Sequence, residues 1–172
     1  MNENLMLDAL GAAQPNRNLA SKLQLYGRFI GSWTLAIDFH PLGKPSISAE
    51  GEWHFAWVLD GNAIQDVWIF PARHLREAAE PWHQYGTTLR WYDPGIDAWH
   101  IVYVEPGKNF EQRQLGRAVG NDIVQIGEDR GLQRRWRFVD ITEHAFRWLG
   151  EVSWDKGANW QPEMEMLANR LS

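Results

Sequence analysis

Asp66 stands inside an aromatic-rich segment, "GEWHFAWVLDGNAIQDVWIF", residues 51 to 70. Strand alternation puts it on one face with Ile64, Trp68 and Phe70. A carboxylate on such a face is too costly to bury unpaired. Arg90, which shares a face with Thr88 and Tyr92 in the next strand-like run, is the natural partner. The pair has three uses open to it: an internal ion pair that fixes register, a polar patch that orients a ligand group bidentately, or acid–base catalysis. Arg135 and Glu151, on neighbouring strands of a later hairpin, form a second candidate pair with the same uses. Of the six histidines, His100 is the best-placed general base if its face points inward, because imidazole titrates near neutral pH. An outer-face or otherwise satisfied histidine is the alternative.

Other chemistry lacks its residues. His74 and Glu77 stand at i, i+3 with His83 nearby, but a metal site needs three converging ligands, and no metal or cofactor is expected. There is no Gly-rich phosphate loop and no Gly-x-Ser-x-Gly elbow. Without cysteine there is no thiolate chemistry and no disulfide framework. A formal net charge of −5 argues against a nucleic-acid or anionic-membrane partner. The first residues, "MNENLMLDALGAAQPNRNLA", show no basic segment followed by an apolar run, and no stretch is long and apolar enough to span a bilayer. A cytoplasmic location is the default expectation.

The positioning elements are strands. Residues 1–18 have no sustained pattern and read as an N-terminal arm, with 19–172 as one domain. Over 19–29, Leu19, Leu23, Tyr26 and Phe29 approach helical spacing, with Ser21 as a candidate N-cap. From Gly31 onward, alternation and turn signals recur. Strands are expected near 32–39, 48–59, 62–70, 85–92, 97–105, 111–118, 121–127, 131–140, 144–153 and 159–168. Turns such as "LDGN", "DPGID" and "GEDRG" supply the residues hairpins need. The fold class is therefore all-β: an up-and-down antiparallel barrel of about ten strands, since closure removes the two edges of so large a sheet. The connection 71–84, "PARHLREAAEPWHQ", is too long for a hairpin and reads as a binding loop or a solvated one, with "ARHLREAAE" able to form a turn or two of helix.

"GSW" at residues 31–33 follows the short helix and opens the first strand, and Arg170 follows the last strand. This resembles the calycin superfamily of lipocalins, fatty-acid-binding proteins and their bacterial relatives. The resemblance implies that Trp33 packs under Arg170 and closes the barrel bottom through a cation–π contact. The runs "GEWHFAWVLDG", "IQDVW", "YGTTLRWYDP", "RRWRFVDIT" and "FRWLGEVSWDKGANW" look like an uncharacterised bacterial lipocalin-like family, which implies a fold but no established activity. Haem-binding barrels of related shape use a late-strand histidine, and "NWQPEMEML" has none.

Eleven tryptophans in 172 residues either build a core or line a cavity for a flat ligand. Trp53, Phe55, Trp57 and Leu59 share the expected inward face of their strand. The strand 62–70 has no clean face. The principal expectation is a small-molecule-binding barrel for an apolar or aromatic ligand. Its walls would be Trp53, Trp57, Trp68, Tyr103 and Trp148, and its polar anchors Asp66, Arg90, Arg135 and Glu151. The alternative is an isomerase, lyase or hydrolase using the same cavity, with Asp66 or His100 as general base. A third reading makes an outer aromatic face the functional surface, and an apolar outer patch would make a homodimer a candidate assembly.

Overall fold

The computed structural model describes residues 4–78 and 83–171. Ten of its strands form a ring: β2 (Gly31–Phe39), β3 (Ile47–Val58), β4 (Ala63–Phe70), β5 (Gln84–Asp93), β6 (Ala98–Glu105), β7 (Phe110–Val119), β8 (Asp122–Asp129), β9 (Leu132–Val139), β10 (Ala145–Ser153) and β11 (Gln161–Arg170). Each pairs antiparallel with its chain neighbour, and β11 returns to β2 from Met164↔Phe39 to Arg170↔Trp33. The sheet is thus a closed, calycin-like barrel with no free edge around the ring. Its strands follow the expected ranges closely.

The hairpins turn where the sequence supplies left-handed backbone. Leu59, Asp60 and Gly61 all have positive φ between β3 and β4. That reversal begins one residue earlier than the alternation implies. Leu59 therefore leaves the inward face and is 48% exposed, while Trp53, Phe55 and Trp57 point in.

The N-terminal arm is structured in part. α1 (Leu5–Leu10) leads into β1 (Gly11–Ala12), which pairs with Val58 and Trp57 where β3 outruns β2. This covers a length of strand that would otherwise present an open edge. A 3-10 turn over Arg17–Leu19 then passes directly into α2 (Ala20–Gly27). Ser21 is not the N-cap: Leu19 holds that position with no side-chain bond, and Asn16 caps the preceding turn by accepting from Asn18 N–H at 2.9 Å.

α2 and the residues just after it plug one end of the barrel. Leu23, Tyr26 and Phe29 are fully buried, and Phe29 stacks on Phe138 and packs tilted against Phe146 at ring separations of 4.8 and 4.7 Å. Trp33 Nε1 donates to the Phe29 carbonyl at 2.8 Å. Above it, the Arg170 guanidinium lies 4.1 Å from the Trp33 ring, the contact the calycin resemblance implies. The same guanidinium donates to the carbonyls of Ile30, Arg28 and Glu143 at 2.6 to 2.8 Å. One side chain thereby ties the last strand to the first, to the chain leaving α2 and to the β9–β10 turn.

The long connection after β4 begins as a 3-10 run over Arg73–Ala78. Glu52 on β3 holds its start, accepting from Arg73 N–H at 2.7 Å and from the guanidinium at 2.9 and 2.8 Å. Arg76 lies 4.6 Å over the Tyr85 ring on β5. The Arg73 guanidinium holds the Glu52 carboxyl down at about 2 against the opposing effect of burial, with the Arg73 N–H and His54 adding to it.

Two outcomes test these anchors. Arg170→Ala should lower unfolding free energy by about 2–4 kcal/mol in urea melts, because charge-assisted bonds and a cation–π contact go together; a loss within error would show that strand pairing alone closes the ring. Glu52 binds Arg73 as a carboxylate, so its contribution is complete above the ordinary glutamate value of 4.5 and is lost as pH falls through about 2. The Arg73 amide resonance should follow that low midpoint and lose the pH response in Glu52→Gln. A midpoint near 4.5 would contradict the anchor.

Candidate functional site

Strand β4 points Ile64, Asp66, Trp68 and Phe70 into the barrel, all of them buried. Strand β5 points in Gly86, Thr88 and Arg90. Arg90 Nη1 donates to Asp66 Oδ2, and each side chain is at most 1% exposed. The guanidinium lies 5.4 Å from the Tyr26 ring, 5.7 Å from Phe55 and 5.9 Å from Phe138, so its charge is shared between a carboxylate and aromatic faces. Burial pushes the Tyr26 hydroxyl well above the usual range, only partly offset by Arg90, so it stays neutral beside the cation. Asp66 and Arg90 do meet, as the sequence implies.

They do not line the open space. That space is a cavity of about 280 Å³ toward the end of the barrel opposite α2. Trp68 borders it, and Asp66 lies two residues deeper along the same strand. At about 3.3 Å per residue, the ion pair sits one side-chain layer below the cavity.

The cavity is built around four rings from four strands. Trp68 on β4 is 5.9 Å from Tyr103 on β6, Tyr103 is 5.7 Å from Trp136 on β9, Trp136 is 5.5 Å from Trp148 on β10, and Trp148 is 5.9 Å from Trp68. The four close into a box. Two strand glycines make room for it. A Cβ on Gly86 would lie 2.4 Å from the Tyr103 hydroxyl, and one on Gly150 would lie 2.7 Å from the Trp148 ring. Phe39, Phe110 and Met164 continue the apolar wall toward the mouth.

Polar groups border the cavity too. Glu105 is 4% exposed, accepts from the Tyr103 hydroxyl at 3.1 Å and pairs with Lys108 at 3.2 Å. Burial first and then Glu105 push the Tyr103 hydroxyl far up, so it remains a donor. Arg134 Nη1 binds both oxygens of Glu163 at 3.0 and 2.8 Å. Glu163 borders the cavity together with its neighbour Met164, where the β10–β11 register steps from Gly150↔Met164 to Glu151↔Pro162. The extra residue is a β-bulge, which re-aims a side chain that regular alternation would direct outward.

The remaining expected site residues lie elsewhere. Trp53 is buried against Phe55, Trp68 and Phe138, and Trp57 packs on α2 where Gly27 leaves space. Neither lines the cavity. His100 faces outward, 3.0 Å from Asp93 and stacked on Trp91 at 5.0 Å, because the apolar Trp99, Ile101 and Tyr103 claim the inward face of β6. Arg135 and Glu151 pair on the outer face at 2.8 and 3.0 Å, and Arg137 joins the same carboxylate at 2.9 Å. Burial raises the Glu151 carboxyl, but the two arginines more than reverse this and leave it lowered. The expected anchors Arg135 and Glu151 are thus outside the barrel, since Trp136 and Gly150 occupy the inward positions beside them. The Glu77 side chain lies outside the described residues, and among those described no group of three His, Asp or Glu could hold a metal.

Sequence reasoning missed Glu105, Lys108, Arg134 and Glu163. Glu105 was findable, since it alternates with Trp99, Ile101 and Tyr103 along β6. Glu163 carried no such signal, because a bulge changes parity without marking the sequence.

No protein-family model matches the sequence, and no curated protein does either. Solved structures do share the fold. A protein from M. tuberculosis, Rv2717c, superposes with a TM-score of 0.63 at 16% identity, over 89% of this chain and 99% of its own. The S-type phycobiliprotein lyase CPES from Guillardia theta gives a TM-score of 0.57 at 10% identity, over 87% of this chain and 92% of its own. At these identities the likeness establishes a common barrel architecture.

The buried pair makes a direct test. Asp66→Ala should cost about 3–5 kcal/mol in chemical denaturation, because it leaves Arg90 buried without its counter-charge. Asp66→Leu combined with Arg90→Met should recover most of that loss. If the single substitution is tolerated, the pair is not holding the interior together.

Proposed function

We propose that the chain is a binding protein for a compact, largely apolar or aromatic small molecule, held in the box formed by Trp68, Tyr103, Trp136 and Trp148. The observation that carries this reading is a cavity of about 280 Å³ in a barrel whose other interior layers are filled with side chains. An apolar pocket with few polar groups is the usual form of a small-molecule site. The volume, near the lower end for such sites, favours a ligand of one or two rings. That a structural neighbour is named a phycobiliprotein lyase is consistent with barrels of this shape handling small molecules.

Catalysis in the same cavity is the weaker reading. Asp66 lies beneath the box and His100 lies outside the barrel, so neither borders the cavity. A reacting group would have to come from the polar residues bordering the cavity, such as Glu105, Lys108 or Glu163. Binding without turnover requires no group beyond those already described.

Calorimetric titration across a library of small aromatic metabolites is the test. Trp136→Ala or Trp148→Ala should weaken any hit about tenfold or more, as loss of a ring contact and its buried area implies. Trp154→Ala, on a turn where the side chain is exposed, should leave it unchanged. Affinity indifferent to both box substitutions would place binding elsewhere.

A further inference from the structure

The chemistry around the box selects among small molecules. Four aromatic rings border one space, and the face of an aromatic ring is the negative end of its quadrupole. Beside that space stands a carboxyl, Glu105, that is nearly removed from solvent at 4% exposure. Its two partners differ in kind. Tyr103 is a fixed wall of the box. Lys108 comes from the turn after β6, is 38% exposed at the side chain and reaches Glu105 at 3.2 Å. A flexible ammonium at the surface is a replaceable counter-ion for a carboxylate that cannot move to water.

The other charged pair is satisfied at one nitrogen of its guanidinium. Glu163 occupies Arg134 Nη1 with both oxygens, and the guanidinium also lies 5.7 Å over the Phe110 ring. An anionic ligand would have Lys108 and the Arg134 nitrogens that Glu163 leaves open, the buried Nε among them. It would also bring negative charge toward ring faces and toward Glu105. A neutral ligand would leave the Glu105–Lys108 pair intact and gain only apolar contact. A cation gains both the ring faces and the carboxylate.

We propose that the box takes an organic ammonium ion with a compact apolar body, its charge placed among the four rings and beside Glu105 in the position Lys108 now serves. This rests on the cavity being a small-molecule site and names the class of molecule it takes. Aromatic cages of this composition bind quaternary and methylated ammonium groups through cation–π attraction, which strengthens when the cation is desolvated. Lys108 then acts as a built-in competitor that keeps Glu105 paired when no ligand is bound.

Three probes separate the outcomes: phenyltrimethylammonium, its neutral isostere tert-butylbenzene, and the smaller anion benzoate, each titrated calorimetrically into the full chain at low salt. The cation should bind about tenfold or more tighter than the neutral probe, with benzoate weakest. Glu105→Gln should cut the preference for the cation several-fold, to what the ring faces alone supply, and change the neutral probe less. Lys108→Met should strengthen cation binding several-fold, and by more than it changes tert-butylbenzene binding. Lys108 is surface-exposed, so this second variant reads the proposal even if Glu105→Gln destabilises the barrel. Preferential binding of tert-butylbenzene or benzoate, or a Lys108→Met variant without effect on the cation, would overturn the ammonium assignment while keeping the cavity as a binding site. Binding of none of the three would remove both.

Discussion

The seam between β2 and β11 is the constraint from which the rest follows. A meander of ten strands has two edges, and only hydrogen bonding the last strand to the first turns it into a container. Arg170 fixes that seam by lying over Trp33 and binding three carbonyls from two parts of the chain, the α2–β2 connection and the β9–β10 turn. With the bottom sealed, α2 can fill it with Tyr26 and neighbouring Phe29, and the depth above becomes a graded interior. Aromatic rings fill the lower layers, and space opens at the box.

That interior is more polar than its tryptophan content suggests. Asp66, Thr88, Arg90, Gln112, Gln114 and Gln125 are all buried. The two on β7 follow from geometry. The β7–β8 ladder runs only from Leu115↔Ile126 to Val119↔Asp122 and is the shortest in the ring. Beyond its end, Gln112 Nε2 donates to the Arg113 carbonyl at 3.1 Å and Gln114 Nε2 to the Arg134 carbonyl at 3.4 Å. Side-chain amides thereby serve backbone acceptors near where the ladder stops, which fits the rule that buried backbone groups find partners. The Asp66–Arg90 pair obeys a different economy. Its charges are compensated by one another and by surrounding rings, and its position one layer beneath the box makes it a support for the floor.

Much of this was legible in residues 31 to 170, and the reason is parity. A strand of period two betrays its inner face whenever aromatic residues recur on it, as Trp53 and Phe55 do. Turns betray themselves through residues such as Asp60 and Gly61, which tolerate left-handed backbone. The same logic paired Asp66 with Arg90 across adjacent strands. It failed wherever local geometry changes parity or range. Leu59 was lost to a reversal that starts a residue early, and Glu163 to a bulge. His100 and Arg135 were ambiguous because their strands carry apolar or bulky residues on both faces, so only the assembled barrel decides which side is inside. The helix α1 escaped notice because Leu5, Met6 and Leu7 remain exposed and show no amphipathic period.

Gly86 and Gly150 carry a consequence for how such a site changes over time. Neither is among the residues bordering the cavity, yet each determines how far a ring can retreat across the strand behind it. A methyl group at Gly86 would meet the Tyr103 hydroxyl at 2.4 Å, and the ring would have to advance into the open space or leave its layer. The size of the chamber is therefore set from its back wall. Selectivity for larger or smaller guests can drift through substitutions that leave every guest-facing side chain untouched.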